Sequence, residues 1–447
     1  MKLPQPPPPF VDLFGKVAKS KRLSELLIMA DRVAGEDDYS HWDALRRRPI
    51  GEGMTHEELW LILKMKRKAG QQRFPLNDIR GRPFSYSIPG RVLALVHEID
   101  FGAGAFIGMP APIANPQTRD RYVISSLIQE AITSSQLEGA ATTREVAKEM
   151  LRSGRSPKDR SEQMILNNFR TMQEITRLKD QPLSIDLILA IHRLVTERTM
   201  DNPDASGRFR RADEQVQVMD DQGQVLHHPP LAEELPDRIA RMCDFANVTI
   251  PGPFIPPVIR AILLHFWVAY DHPFVDGNGR TARALFYWSM LHAGFWLFEF
   301  ISISGILVKA PAQYARAFLH TESDENDATY FILHQADVIQ RAIAELHAYL
   351  DRKQREGREA ERQLRILRHF NHRQQALVAH ALRHPGHEYT IESHGTSHGV
   401  AYATARADLL SLSEQMLLRQ AKRGKAWVFS PVDDLAGRLH AMSLHAG

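Results

Sequence analysis

Cysteine is almost missing from this chain: Cys243 is the only one in 447 residues. One thiol excludes an internal disulfide and fits a reducing compartment, so the expected location is the cytoplasm. No histidine pattern surrounds Cys243, which reads as a packed thiol rather than a nucleophile. Long apolar runs are missing too. None is long enough to span a bilayer, so no membrane partner is expected. At the N-terminus Pro4 and Pro6 to Pro9 stand where a secretory signal would carry its apolar segment. A net charge of +3 is too small to imply nucleic acid by itself. What remains, 43% hydrophobic and 24% charged residues, is the balance of an ordinary globular protein. Its length predicts roughly two to four domains.

The densest chemistry lies in twelve residues, His272-Pro273-Phe274-Val275-Asp276-Gly277-Asn278-Gly279-Arg280-Thr281-Ala282-Arg283. Helical spacings flank them, with Ile259, Ile262, Leu263 and Phe266 before and Ala282, Leu285, Phe286 and Met290 after; Gly294 is a stop. The stretch therefore predicts a tight loop closing on a helix N-terminus, where Gly277 and Gly279 adopt backbone conformations other residues resist. Free N–H groups and the helix dipole at such a start favour anions. Arg280 and Arg283, three apart on one helical face, can fork phosphate oxygens. Asp276 is a hard oxygen ligand suited to Mg²⁺, and His272 a general base near neutral pH. Together they compose a nucleotide-transfer site. The plainer alternative is a polar interhelical loop, which a lone Gly-x-Gly would leave standing.

This stretch resembles the signature of the Fic family, His-x-Phe-x-(Asp/Glu)-Gly-Asn-Gly-Arg-x-x-Arg, with every specified position matched. The resemblance implies transfer of AMP from Mg·ATP to a Ser, Thr or Tyr hydroxyl of a target protein. It makes His272 the base, Phe274 the anchor of the loop and Asp276 the Mg²⁺ ligand. Gly277, Asn278 and Gly279 become the phosphate nest, and Arg280, Thr281, Ala282 and Arg283 complete the ATP contacts. Relatives often place an aromatic pair near the adenosine; this chain keeps Tyr314, for which simple packing is the alternative. Transfer of other groups, removal of AMP, and an ATP-sensing winged-helix transcriptional regulator stay open as alternatives.

Glu138 follows a predicted helix containing Ile124, Leu127, Ile128, Ala131 and Ile132, and its charge opposes that helix's dipole. It is either an exposed charge at a frayed end or compensated by an arginine from elsewhere. Ser134-x-x-x-Glu138-Gly139 is similar to the family's inhibitory motif, (Ser/Thr)-x-x-x-Glu-(Gly/Asn). The resemblance implies an autoinhibited class with an internal N-terminal inhibitory helix, in which Glu138 pairs with Arg283. Further along, Val216, Val218 and Val225 alternate with polar residues about Asp220-Asp221-Gln222-Gly223, a hairpin signal. In the family a hairpin here is the flap that clamps the target by strand pairing, so Val216, Gln217 and Val218 are the expected contacts.

Elsewhere Ser20 reads as the cap of a helix with Leu23, Leu26 and Leu27 inward. Thr55-x-x-Glu58 and Thr142-x-x-Glu145 read as capping boxes. The fold class expected is mainly α: a Fic-type helical bundle with a small β-hairpin flap and a C-terminal winged helix-turn-helix domain. The expected division is an N-terminal helical or mixed module over 1–88, the inhibitory segment over 89–155 and the catalytic core over 156–350. A charged helical linker over 351–363 and a winged-helix domain over 364–447 follow. From Leu364 onward ten Lys/Arg stand against six Asp/Glu, an excess of four, which does not choose between DNA and protein contact. The partners implied are ATP, a hydroxyl-bearing target protein (the chain itself included), DNA or protein through the tail, and a second copy in a homodimer.

Overall fold

The computed structural model describes residues 2–20, 22–32, 39–50, 53–104, 116–220, 222–249, 251–366, 370–423 and 426–445. Contacts divide it into two compact units, residues 1–105 with 126–343 and residues 106–125 with 344–447. The division passes within two helices, Pro116–Leu137 and Thr329–Ile366. The expected break near residue 88 separates no two units.

The first unit is built on the helices Pro257–Asp271 and Asn278–His292. Val258, Ile262, Leu263, Phe266, Leu285 and Trp288 on them are all buried. Both helices are apolar nearly all round because neighbours cover them on every side. Helices Arg160–Leu178, Ile185–Thr196 and Leu235–Ala246 pack nearby, each started by a local device. Asp159 and Ser184 accept backbone N–H groups at two of them, and Pro236 stands in the first turn of the third. The helix ending at Leu137 buries Ile128, Ala131 and Ile132 against Ala147, Met150 and Ile165.

The N-terminal residues belong to this unit. Thr55 and Glu58 form the expected capping box at the start of helix His56–Ala69. From that helix Lys64 donates to buried Asp324 at 2.8 Å, and Arg67 donates to the Tyr330 hydroxyl at 2.9 Å. Buried charges persist only when paired in this way. A hairpin, β1 (Gln72–Asn77) with β2 (Pro83–Tyr86), buries Phe74, Phe84 and Tyr86 against Phe245, Phe266 and Trp267. Two cap readings need correction. Ser20 closes an earlier helix, Phe10–Lys19, as its C-cap, and Thr143 rather than Thr142 caps Arg144–Ser153, accepting from Val146 N. The hydroxyl that reaches an N–H is chosen by the backbone entry angle, which neighbouring threonines do not reveal.

A second hairpin in the unit joins β3 (Val218–Met219) to β4 (Val225–His227), antiparallel, with Val218 opposite His227. In the second unit, helices His372–Arg383, Ile391–His398, Tyr402–Glu414 and Leu435–His445 surround a small antiparallel sheet. Its strands β5 (Tyr389–Thr390), β6 (Leu418–Arg423) and β7 (Ala426–Pro431) lie in the order β5-β7-β6. Leu377, Val378, Leu409, Leu412, Phe429 and Leu439 form the core. Asp408, 4% exposed, ties that core together by accepting from Arg373 and Asn371, each at 2.7 Å. The basic hairpin tip read from the sequence includes residues 424 and 425, which lie outside the described residues. No helix among the described residues is long and apolar enough to cross a membrane.

Candidate functional site

The helix Pro257–Asp271 stops at His272, whose backbone is left-handed with φ 45° and ψ 57°. For a residue bearing a Cβ this strains the chain by about 1–3 kcal/mol, a feature that clusters at active sites. Its ring Nδ1 lies 3.3 Å from the Ala269 carbonyl. A carbonyl only accepts, so Nδ1 carries the proton and the Nε2 lone pair is left to face outward chemistry. Burial pulls the His272 pKa down to about 4, helped by the positive charges of His227 and Arg210 and opposed by the Ala269 carbonyl and Glu138. The ring is a neutral base at neutral pH.

The loop that follows is closed from within. Phe274 is fully buried and stacks on His192 with ring centroids 3.7 Å apart. Asn278 Oδ1 accepts from Phe274 N at 2.9 Å, and its Nδ2 donates to Phe274 O at 2.8 Å. The Asn278 amide is consumed by the loop, so only its backbone N–H is left for the expected phosphate nest. His192 Nε2 donates to Asp276 O at 2.9 Å, while its Nδ1 accepts from Gly207 N at 2.9 Å. Arg210 straps the other side, its Nε donating to His272 O at 3.0 Å and its Nη2 to Pro230 O. Gly277 turns the chain at φ 81°; a Cβ there would stand 2.7 Å from Thr196 Cγ2.

No side chain caps the helix Asn278–His292, so its first N–H groups have no intrahelical or capping partner. Beside this start lies Arg280, fully buried. Its Nη1 donates to Val195 O at 3.0 Å, but Nε and Nη2 have no hydrogen-bond partner. The nearest carboxylate oxygen, Asp276 Oδ1, is 3.6 Å from Nη2. Burial lowers the Arg280 pKa, yet arginine stays charged, so two donors of a buried cation await an acceptor. Thr281 Oγ1 is also buried without a partner, and Ala282 is wholly enclosed. Asp276 is 40% exposed in its side chain and lies 3.4 Å from Arg160 Nη2. Among the described residues no group of three or more His, Cys, Asp or Glu could hold a metal ion.

Arg283, 2% exposed, is held on one edge by Ser134 and met on another by Glu138. Its Nε donates to Ser134 Oγ at 2.8 Å and its Nη2 to Ser134 O at 2.9 Å and Glu138 Oε1 at 2.8 Å. The carboxylate lies against Gly279 so closely that a Cβ there would collide with it. Glu138 thus leaves an unfavourable helix C-terminus to sit at a favourable N-terminus on a buried arginine. Tyr314 is brought to the same place: its hydroxyl lies 2.7 Å from His265 Nε2, and burial pushes its pKa up to about 12 against the pull of the Arg283 charge.

The structure therefore gathers Ser134, Glu138, His272, Asp276, the 277–283 turn and Tyr314. The hairpin forms, but its first strand is only Val218–Met219, so Val216 and Gln217 precede it. Four residues here carry no sequence signal of their own: Arg160, His192, Arg210 and His227. His192 has the nearest thing to one, being a histidine among Ile188, Ile191 and Val195 on an otherwise buried helix face.

A profile of the Fic/DOC family matches residues 182–290, the segment that holds His192, Arg210, His227 and the loop. A protein adenylyltransferase Fic of Nematostella vectensis is 37% identical over 117 residues, 26% of this chain and 25% of that protein. A protein adenylyltransferase fic-1 of Caenorhabditis elegans is 36% identical over 115 residues, 25% of this chain and 20% of that one. The chain thus spans at most a quarter of the length of these curated relatives. A crystal structure of a Fic family protein from Desulfovibrio desulfuricans G20 superposes with a TM-score of 0.52 at 20% identity. That likeness, over 78% of this chain and 98% of the other, shows a shared mainly helical fold. With its signature loop, and a family match from residue 182 to residue 290, this chain carries a Fic domain.

Proposed function

We propose that the chain is a protein adenylyltransferase that moves AMP from ATP to a Ser, Thr or Tyr hydroxyl and is held back by Glu138. The names of the relatives support the activity, since both are called protein adenylyltransferases and each aligns with about a quarter of this chain. Arg280 carries the chemical side of the reading. A buried guanidinium with two unpaired donors, beside an uncapped helix start, suits an oxyanion of high charge density such as a triphosphate.

In the reaction the target hydroxyl gives its proton to His272 Nε2 as its oxygen bonds to the α-phosphorus. The bond from the α-phosphorus to the bridging oxygen breaks and pyrophosphate leaves. The phosphates beside His272 raise its proton affinity once ATP is bound, which improves a base that is weak in the free protein. Arg280 and the 278–280 backbone hold the developing negative charge. Asp276 fits a magnesium site of the kind that takes one protein carboxylate and draws its other ligands from phosphates and water. Mg²⁺ there would neutralise phosphate charge. Arg283, paired with Glu138, is withheld from the γ-phosphate. Removal of AMP by the same site is the second reading that Glu138 favours, because a carboxylate at the phosphates could orient a water.

The test is retention of label from ATP marked at the α- or the γ-phosphate. Label retained from the α-position and none from the γ-position is expected; the reverse outcome would assign kinase-type transfer and end the proposal.

For the tail we propose a winged helix-turn-helix. Its order of helix, strand, two helices and hairpin supports this, as do exposed Arg406 and Tyr402 on the second of the paired helices. Lys422 stands over the half-exposed Trp427 on the wing. Duplex DNA at low salt is expected to be retarded in a gel by the full chain and not by an Arg406→Ala, Lys422→Ala variant. Equal retardation by both removes this face from DNA contact and leaves a protein partner.

A further inference from the structure

His227 ends strand β4 and is buried between two acceptors. Its Nε2 lies 2.7 Å from the Tyr270 carbonyl and its Nδ1 lies 2.8 Å from Glu322 Oε2. Neither a carbonyl nor a carboxylate can donate, so both ring nitrogens must carry hydrogen. A proton shared between imidazole and carboxylate belongs to imidazole, the stronger base by about two pKa units. Tyr270 lies two residues before His272, on the last turn of the helix that presents it. Glu322 lies on the separate helix Pro311–Ser323. One ring therefore ties the hairpin to two helices, and the tie is complete only while the ring is charged.

We propose that His227 is a positioning residue, an imidazolium latch that holds the β3–β4 hairpin against the helix end bearing His272 and opens on deprotonation. The assignment of the hairpin to target binding rests on the adenylyltransferase reading; the latch itself does not. Its surroundings support a charged ring. Burial disfavours the charge, but Glu322, the Tyr270 carbonyl and Asp271 outweigh it and hold the pKa above the ordinary 6.5. Asp271 is itself engaged by Arg238 at 2.6 Å, and the Tyr270 ring packs 4.6 Å from the imidazole. On the facing helix end the His272 ring is neutral at neutral pH, and the Arg210 guanidinium is bound to the His272 carbonyl. Because the folded pKa is raised, the latch contributes fully below about 6.5 and is lost as pH rises through the folded value.

A neutral ring keeps one N–H and leaves either Tyr270 O or Glu322 without its donor. Glu322→Gln removes that dependence. The glutamine amide donates to Nδ1 while Nε2–H still donates to Tyr270 O, so a neutral imidazole now satisfies both contacts. The side chain of Glu322 is 27% exposed, so the substitution leaves the core intact.

The experiment uses the full chain without ATP or target, from about pH 6 to about pH 9, the range that brackets histidine titration. Histidine ¹⁵N shifts read the ring, and amide exchange over the 218–227 hairpin, corrected for intrinsic rate, reads the latch. In the wild type both His227 nitrogens are expected to be protonated at neutral pH. Hairpin exchange then quickens about tenfold through the titration, the scale of one charge-assisted hydrogen bond. Glu322→Gln stays slow at high pH, and His227→Ala is fast throughout. A neutral His227 at pH 7, or wild type and Glu322→Gln exchanging alike across the range, overturns the proposal. Since the readout needs no turnover, a failed transfer assay leaves it standing, and a failed latch leaves the adenylyltransferase reading untouched.

Discussion

Glu138→Gly is expected to take up label from α-labelled ATP about ten- to a hundredfold more strongly than the wild type. The range follows from the one charge-assisted hydrogen bond the substitution removes, worth about 1.5–3 kcal/mol. The structure explains why removal should activate rather than damage. Arg283 is gripped independently by Ser134, through Nε at 2.8 Å and Nη2 at 2.9 Å, so losing the carboxylate frees the guanidinium without unseating it. The same substitution clears the space over Gly279, where the carboxylate now stands against the helix start. Two obstacles, one of charge and one of volume, go together. A variant that binds ATP yet labels no better than wild type would show that Arg283 is not what restrains transfer.

The second large effect is loss. In the Glu138→Gly background, His272→Ala is expected to lower labelling by about 10²–10⁴, the range of a positioned general base. ATP affinity by calorimetry should hold, because the ring serves the incoming hydroxyl rather than the nucleotide. A parallel fall in ATP affinity would instead make His272 part of the nucleotide site. The pH dependence has a definite sign. The neutral ring is the base, so activity is present above the His272 pKa and is lost as pH falls through it. For the free enzyme, which kcat/KM reports, that limb lies at about 4. Bound phosphates shift the corresponding limb of kcat to higher pH.

Much of the site was readable because it is contiguous. His272 to Arg283 is one loop and the helix start that closes it, and the alternation of apolar helix, glycines and apolar helix dictates where that loop lies. Glu138-Gly139 was marked by a charge of the wrong sign for its helix dipole, but only the resemblance to the inhibitory motif turned that mark into an expected contact with Arg283. The hairpin about Gly223 was visible as alternation, though strand pairing stops at Val218 and leaves Val216 and Gln217 outside. Other features were not visible. Phe74, Phe84 and Tyr86 form a hairpin whose aromatics face Trp267 and Phe266, and its pattern makes sense only beside them. Thr142 and Thr143 offer the same hydroxyl to the same helix, and backbone direction alone selects the second.

Local order along the chain settles the loop, its helices and the types of chemical group they present, because turns and helix starts depend on near neighbours. The partners of those groups lie 43 to 149 residues away in sequence and are decided by packing. His192 under Phe274, Arg210 across the His272 carbonyl, Ser134 on Arg283 and His227 between Tyr270 and Glu322 all belong to this class. Burial is what gives them force. It leaves Arg280 with unpaired donors, makes His272 a neutral base and binds the Glu138 carboxylate to Arg283, and burial is a property of the assembled fold.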